Sequence, residues 1–203
     1  GEIENDNGTI IYIDKLDRFS GYDTPKKIKD SSYYAKINRI KRYLEMVFHL
    51  RIEEGLIIEI NDNLLEPWDP FLRDNERTIE GETQAIRVNG KKVIITPYIL
   101  PHPSLFNQKE HSEAGGIKGW RDQQGFYIYR GNRLVNFGEW FGLFTKDSVS
   151  ELTRIKIDFS NDSDEDWKID IKKSSISIPD EAKEDLRSIG KYYRQISKEI
   201  MLY

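Results

Sequence analysis

Four cations stand at the ends of extended segments in this sequence. Arg130 and Arg133 flank a Gly131-Asn132 pair, and Lys172-Lys173 directly follow the run Trp167-Lys168-Ile169-Asp170-Ile171. A lysine held at the rim of a sheet can reach a terminal phosphate presented by another domain, acting as a compact point charge. The plainer reading is a basic pair solvated in a surface loop, and spacing alone favours it.

Other chemistry has less support. The sequence holds no Gly-x-Ser-x-Gly, no glycine-rich phosphate loop with its Lys-Ser/Thr, and no cysteine to act as nucleophile. Carboxylates are plentiful, but no spacing singles out an acid/base pair. His102, Glu110, His111 and Glu113 invite a metal reading. The two histidines match no compact ligand spacing, so a short helix closed by Gly115-Gly116 is expected there and no metal is predicted. The acidic turn over 161–166 lacks the glycine and terminal glutamate of a calcium loop and is expected to be solvated.

The cations need elements to hold them. Residues 126–129 read as a strand and 133–135 as a second extended piece, joined at Gly131-Asn132, where both residues tolerate positive φ. Residues 153–159 alternate, with Ile155, Ile157 and Phe159 on one face. Residues 167–171 alternate again, which predicts an antiparallel pair ending at Lys172 and Lys173. The clearest hairpin joins 85–88 to 91–98 through Asn89-Gly90. A strand is expected over 56–60, followed by a turn at Asn61-Asp62-Asn63. Pro67-Trp68-Asp69-Pro70-Phe71 is rigid, with Trp68 a plug at a core edge. Residues 73–82 read as a charged connection, and 140–150 as a short helix or turn.

Two helices are expected. Ser31-Ser32 can cap one over 33–50, where Ile37, Ile40, Leu44 and Val47 form an apolar stripe opposite Lys36, Arg39 and Arg42, and Gly55 fits its stop. Pro179, Asp180 and Glu181 open the other, whose stripe runs through Ala182, Leu186, Ile189, Tyr193, Ile196 and Ile200. That stripe suits packing on a sheet or on the first helix, and it also fits a coiled-coil seam. Near the start, 8–13 reads as a buried strand with few partners nearby, preceding a loop-like stretch over 17–32. It either pairs at a distance or closes a domain whose beginning is missing.

Composition sets outer bounds. A chain of 203 residues suits one large domain, or one domain with part of another. Charged residues make up 33%, yet nine Phe, eleven Tyr and four Trp can build a core, so a folded chain is expected. The net charge of -4 gives no overall attraction to nucleic acid or anionic lipid. The absence of cysteine excludes disulfides, and no apolar run is long enough to span a bilayer, which fits a reducing, cytoplasmic setting. The chain opens on Gly1 rather than Met, which agrees with a fragment of a longer protein.

In order along the chain, these motifs resemble the GHKL ATPases, the superfamily of gyrase B, heat-shock chaperones, MutL and MORC. Gly8-Thr9-Ile10-Ile11-Tyr12-Ile13 looks like the Gly-Thr strand that closes their ATP-binding domain. Phe126-Tyr127-Ile128-Tyr129-Arg130-Gly131-Asn132-Arg133-Leu134-Val135 is similar to the strand and Asn-Gly-Arg hairpin of the MutL transducer domain. Ile169-Asp170-Ile171 with Lys172-Lys173 resembles that domain's later strand and its nucleotide-sensing lysine loop. Together with Pro-Trp-Asp-Pro-Phe and Gly-Trp, the set is most similar to bacterial GHKL-type ATP-binding proteins.

The resemblance implies three parts: the end of an ATP-binding domain and linker over 1–30, a transducer over 31–178, and a C-terminal helix over 179–203. It implies an α+β fold like the second domain of a ribosomal small-subunit protein, a mixed sheet with helices on one face and a left-handed βαβ crossover, a rare connection. The family's catalytic glutamate, magnesium-binding asparagine and Asp-x-Gly-x-Gly loop precede the Gly-Thr strand and are not in this sequence. ATP and Mg2+ are therefore expected only in a full-length protein, with no cofactor in this piece. Lys173, ahead of Lys172, is implied as the γ-phosphate sensor, because the His-Pro step of MutL is missing between strand and lysines here. Arg130 and Arg133 are implied contacts to the ATP domain. That domain of the same chain is the implied partner, with a homodimer and DNA as further partners of the full-length protein and no membrane. The rival classes are a non-catalytic protein-interaction domain using the two helices, and a nucleic-acid module using basic helix faces.

Overall fold

A computed structural model describes residues 30–160, 163, 166–168 and 176–203. The strand expected over 8–13, the loop-like stretch up to residue 29, and Lys172 and Lys173 lie outside the described residues. The chain divides into two compact units, Gly1–Ile40 and Lys41–Tyr203. Helix α1 covers Asp30–Val47, followed by the short helix α2 at His49–Glu53.

The second unit is α+β, built on a six-stranded mixed sheet. Its strands are β3 (Ile79–Glu80), β4 (Gln84–Val88), β5 (Lys91–Ile99), β6 (Gly125–Arg130), β7 (Arg133–Glu139) and β8 (Thr153–Phe159). The order is β3-β5-β8-β6-β7, with β4 sharing the outer edge of β5. A separate two-residue ladder pairs β1 (Glu59–Ile60) with β2 (Asn63–Leu64). Both expected hairpins form for the expected reason: Asn89 and Gly90 take φ of 48° and 79°, and Gly131 and Asn132 take 53° and 60°. The 108–114 region folds as helix α3 (Gln108–Ala114), opened by an Asn107/Glu110 capping box and closed by Gly115. Residues 140–152 are turns and coil.

Alternation sends the strands' side chains to two covered faces. Val93, Ile95, Phe126, Ile128, Ile155, Ile157 and Phe159 meet helix α4 (Asp180–Leu202) through Ala182, Leu186, Ile189 and Tyr193. Tyr98, Tyr127 and Tyr129 meet Phe71 and Met46 on the other side. The sheet thus carries helical cover on both faces, where the fold expected from the resemblance has helices on one. The physical reason is the three large tyrosines, whose area must leave water as fully as that of the opposite face. Ala182, Leu186, Ile189 and Tyr193 of the α4 stripe are buried in this core and Ile196 and Ile200 are partly buried against it, so the stripe packs on the sheet.

Two further expectations change. The strand over 153–159 was expected to pair with 167–171, of which 169–171 lie outside the described residues. β8 has β5 on one edge, antiparallel, and β6 on the other, parallel, which leaves no free edge. Trp167 lies in a turn instead, its ring stacked on Phe159 at 4.7 Å and 18°. Among the described strands the parallel neighbours are β6 and β8. They are joined through β7 and residues 140–152, with no α-helix in the connection.

Candidate functional site

Register places Arg130 and Arg133 at the end of the sheet where β8 finishes. Phe159, the last residue of β8, pairs with Arg130 on one side and with Val93 on the other. The Gly131-Asn132 turn, the Asn89-Gly90 turn and the exit from β8 therefore share that end. The Trp167 carbonyl accepts a hydrogen bond from Ser177 N at 3.0 Å, so the stretch 168–176 starts and finishes beside Phe159. Lys172 and Lys173 belong to that stretch and lie outside the described residues.

This corner is tied down by polar contacts. Asp166 accepts from Lys91 Nζ at 2.8 Å and from Asn89 Nδ2 at 2.6 Å, and the Lys91 bond, then the Asn89 bond, lowers the pKa of its carboxyl. Glu181 in the first turn of α4 accepts from Asn89 N at 2.8 Å. Asp166 thus anchors the β4–β5 turn. An open cleft of about 630 Å³ lies against it, with Lys168 and Lys183 in its wall.

Arg130 and Arg133 face each other across the hairpin. Their turn does not project free of the fold. Arg51 Nη2 donates to the Gly131 carbonyl at 2.6 Å, and Asn132 Nδ2 donates to Glu54. The exposed Arg133 places its guanidinium 5.3 Å from the Phe48 ring. Arg130 is half-buried at the end of β6. Helix α2 and its flanks therefore brace the basic tip, and Arg133 keeps its face to solvent.

Behind the tip lies a polar network that the residue pattern does not announce. His49 Nε2 and the Tyr129 hydroxyl are 2.8 Å apart, and both side chains are fully buried. His49 Nδ1 stands 3.6 Å from Glu53, which accepts from Arg73 at 2.8 Å; Arg73 Nε also donates to Asp69 at 2.8 Å. Burial lowers the His49 pKa from 6.5 to about 4, against the pull of Asp69 and Glu53. Burial likewise holds the Tyr129 phenol well above 10, so the phenol donates and the neutral imidazole accepts. Burial opposes the charge of Arg73, but Asp69 and Glu53 outweigh it and raise its pKa. With both rings sealed from solvent, the His49–Tyr129 pair joins the hairpin to α2 rather than meeting a solute. The one local trace of this network in the sequence is the i, i+4 spacing of Asp69, inside the Pro67–Pro70 step, and Arg73.

A second hidden group is Arg154 on β8. It is fully buried, donating through Nη1 to Pro70 O and through Nη2 to Ala114 O at 3.2 Å. Its ring neighbour is Tyr127 at 5.9 Å, and burial lowers its pKa. By alternation alone it falls on the face opposite Ile155, Ile157 and Phe159.

The metal-like set is dispersed into other duties. His102 Nδ1 meets Ser104 Oγ at 2.7 Å, Glu110 closes the α3 capping box, His111 packs on Trp120, and Glu113 pairs with Lys109 at 3.8 Å. Among the described residues no three His, Asp or Glu side chains converge as a metal-ligand group, and no helix is long and apolar enough to cross a membrane. Comparison with protein families, with curated proteins and with solved structures gives no match to this chain.

Proposed function

We propose that this chain is the transducer part of a GHKL-type ATP-binding protein, sensing the γ-phosphate through Lys173 or its neighbour Lys172. The observation that carries the reading is the register at Phe159. The Arg130/Arg133 hairpin and Trp167, which precedes the lysine-bearing stretch, lie toward one end of the sheet, which supports the reading. The α+β architecture with a mixed sheet and a C-terminal helix agrees with it.

In this reading ATP and Mg2+ are held by an ATP-binding domain of the longer chain, and Arg133 and Arg130 meet that domain. The lysine gives the ATP state a contact that the ADP state lacks, and only such a differential contact can shift a conformational equilibrium. The sheet end transmits the shift because its turns are pinned to α2 and α4. A cytoplasmic homodimer clamping DNA is the downstream role the resemblance offers.

ATP turnover by the N-terminally extended natural chain, beside the same chain with Lys173→Ala, tests this. The expected result is turnover by the extended chain and a drop of about tenfold in the variant, equivalent to about 1.4 kcal/mol of barrier. An active extended chain with a silent Lys173→Ala moves the sensor to Lys172. An extended chain that binds no ATP removes the reading altogether.

A further inference from the structure

We propose that the open cleft of about 980 Å³ between the 67–77 segment and α3 is a binding site for a small flat aromatic acid, a carboxylate or a phosphate. The site is separate from the sheet end and independent of the nucleotide reading. Its volume lies at the upper end of the range of small-molecule pockets.

One wall is Trp68, whose placement is fixed from several directions. Pro67 and Pro70 restrict the backbone, and Trp68 N donates to Glu45 O at 3.1 Å. The Asp69 carboxylate then accepts from Phe71 N and Arg73 N at 3.0 and 2.8 Å, locking the turn that follows. Trp68 also packs over Gly116, where φ is +68° and an added Cβ would lie 2.8 Å from Trp68 Cη2. The Phe106 ring, set 5.7 Å from Trp120, lines the same cleft. Arg154 holds the walls together from beneath, through Pro70 O on one side and Ala114 O on the other. A fixed indole with a second aromatic ring in the same cleft suits a planar ring.

The charges choose the ligand's sign. Each carboxylate of the cleft is already engaged. Glu45 takes Glu66 N at 3.4 Å and Lys41 at 3.6 Å, Glu110 caps α3, and Glu113 takes Lys109. Arg42 and Arg77 line the same cleft, and among the described residues neither guanidinium has a hydrogen-bonded or ion-paired partner. Two uncommitted forks suited to carboxylate or phosphate, beside a fixed indole, select an anion with a flat body. A nucleic-acid strand fits less well, because the three glutamates would face its phosphates.

The test is an NMR titration of the 203-residue chain, following the Trp68 indole N–H and the Arg42 and Arg77 Nε–H signals. The probes are phenyl phosphate and benzoate, with inorganic phosphate and benzyl alcohol as controls. The expected result is a saturable shift at Trp68 and Arg77 for phenyl phosphate or benzoate, with a dissociation constant of about 1 mM or tighter. Arg77→Gln and Arg42→Gln should each weaken it by roughly tenfold, while the Trp140 indole, packed against Phe126 and Phe144 away from the cleft, stays unmoved. Whichever of the two ring acids binds more tightly identifies the acid group. Both arginines are exposed, so these variants keep the fold, which a melting curve checks. The proposal is overturned if neither ring acid saturates, if inorganic phosphate alone matches phenyl phosphate, or if both arginine variants bind like the parent.

Discussion

Trp167→Ala is expected to lower the stability of the chain by about 3–5 kcal/mol, read as a shift of the urea midpoint at constant slope. Trp167 is fully buried and stacks on Phe159 at the point where β8 ends. Its backbone accepts from Ser177 N and donates to Ser163 O, so it is also the node from which the lysine-bearing stretch departs and to which it returns. Alanine would leave a cavity that the sheet cannot close, because β5 and β6 hold β8 from both sides. Trp167→Phe keeps a ring on Phe159 and should recover more than half of the loss. A cost below about 1 kcal/mol for the alanine variant would mean that the indole is not the anchor of this corner.

The next largest effect is on pH. The free imidazole titrates at 6.5, and burial lowers the His49 pKa to about 4 in the folded chain. Above 6.5 neither state binds the proton and the full stability is present. Between 6.5 and 4 the unfolded chain takes up a proton that the folded chain refuses, so stability falls with pH; below 4 the folded form binds it too and the loss levels off. A shift of about 2.5 units corresponds to about 3 kcal/mol over that window. Glu53, Asp69, Arg73 and Tyr129 surround the ring, and carboxylates titrate in the same range, so the signal is the difference between parent and His49→Gln. The variant should lose much less stability than the parent from pH 7 to pH 4.5. Parallel profiles for the two would contradict a buried neutral imidazole.

The parts of the fold that were legible in the residues are those where local chemistry has one solution. Asn89-Gly90 and Gly131-Asn132 specify hairpins because both turn positions require positive φ. The α4 stripe and its opening Pro179 specify a helix with one buried side. What stayed hidden depends on partners distant in sequence. Alternation over 153–159 tells which residues share a face but not which strands lie beside them, and β5 and β6, both distant in sequence, occupy its two edges. The same alternation puts Arg154 on the face opposite Ile155, Ile157 and Phe159. It became buried because Phe71 and Met46 cover the second face, and Arg154 answers two backbone carbonyls there. His49 carried no signal, since its burial follows from the docking of the β6–β7 turn on α2. Of the candidate site, Arg130 and Arg133 fall where the hairpin pattern puts them.

The proposed sensor contact joins the stretch holding Lys172 and Lys173 to the γ-phosphate. Hydrogen exchange on the N-terminally extended natural chain tests it most directly, comparing a non-hydrolysable ATP analogue with ADP. The account predicts slower exchange over 168–176 and at the 130–133 turn with the analogue and not with ADP, a difference that Lys173→Ala abolishes. Equal exchange in the two nucleotides, with both shown to be bound, would contradict it.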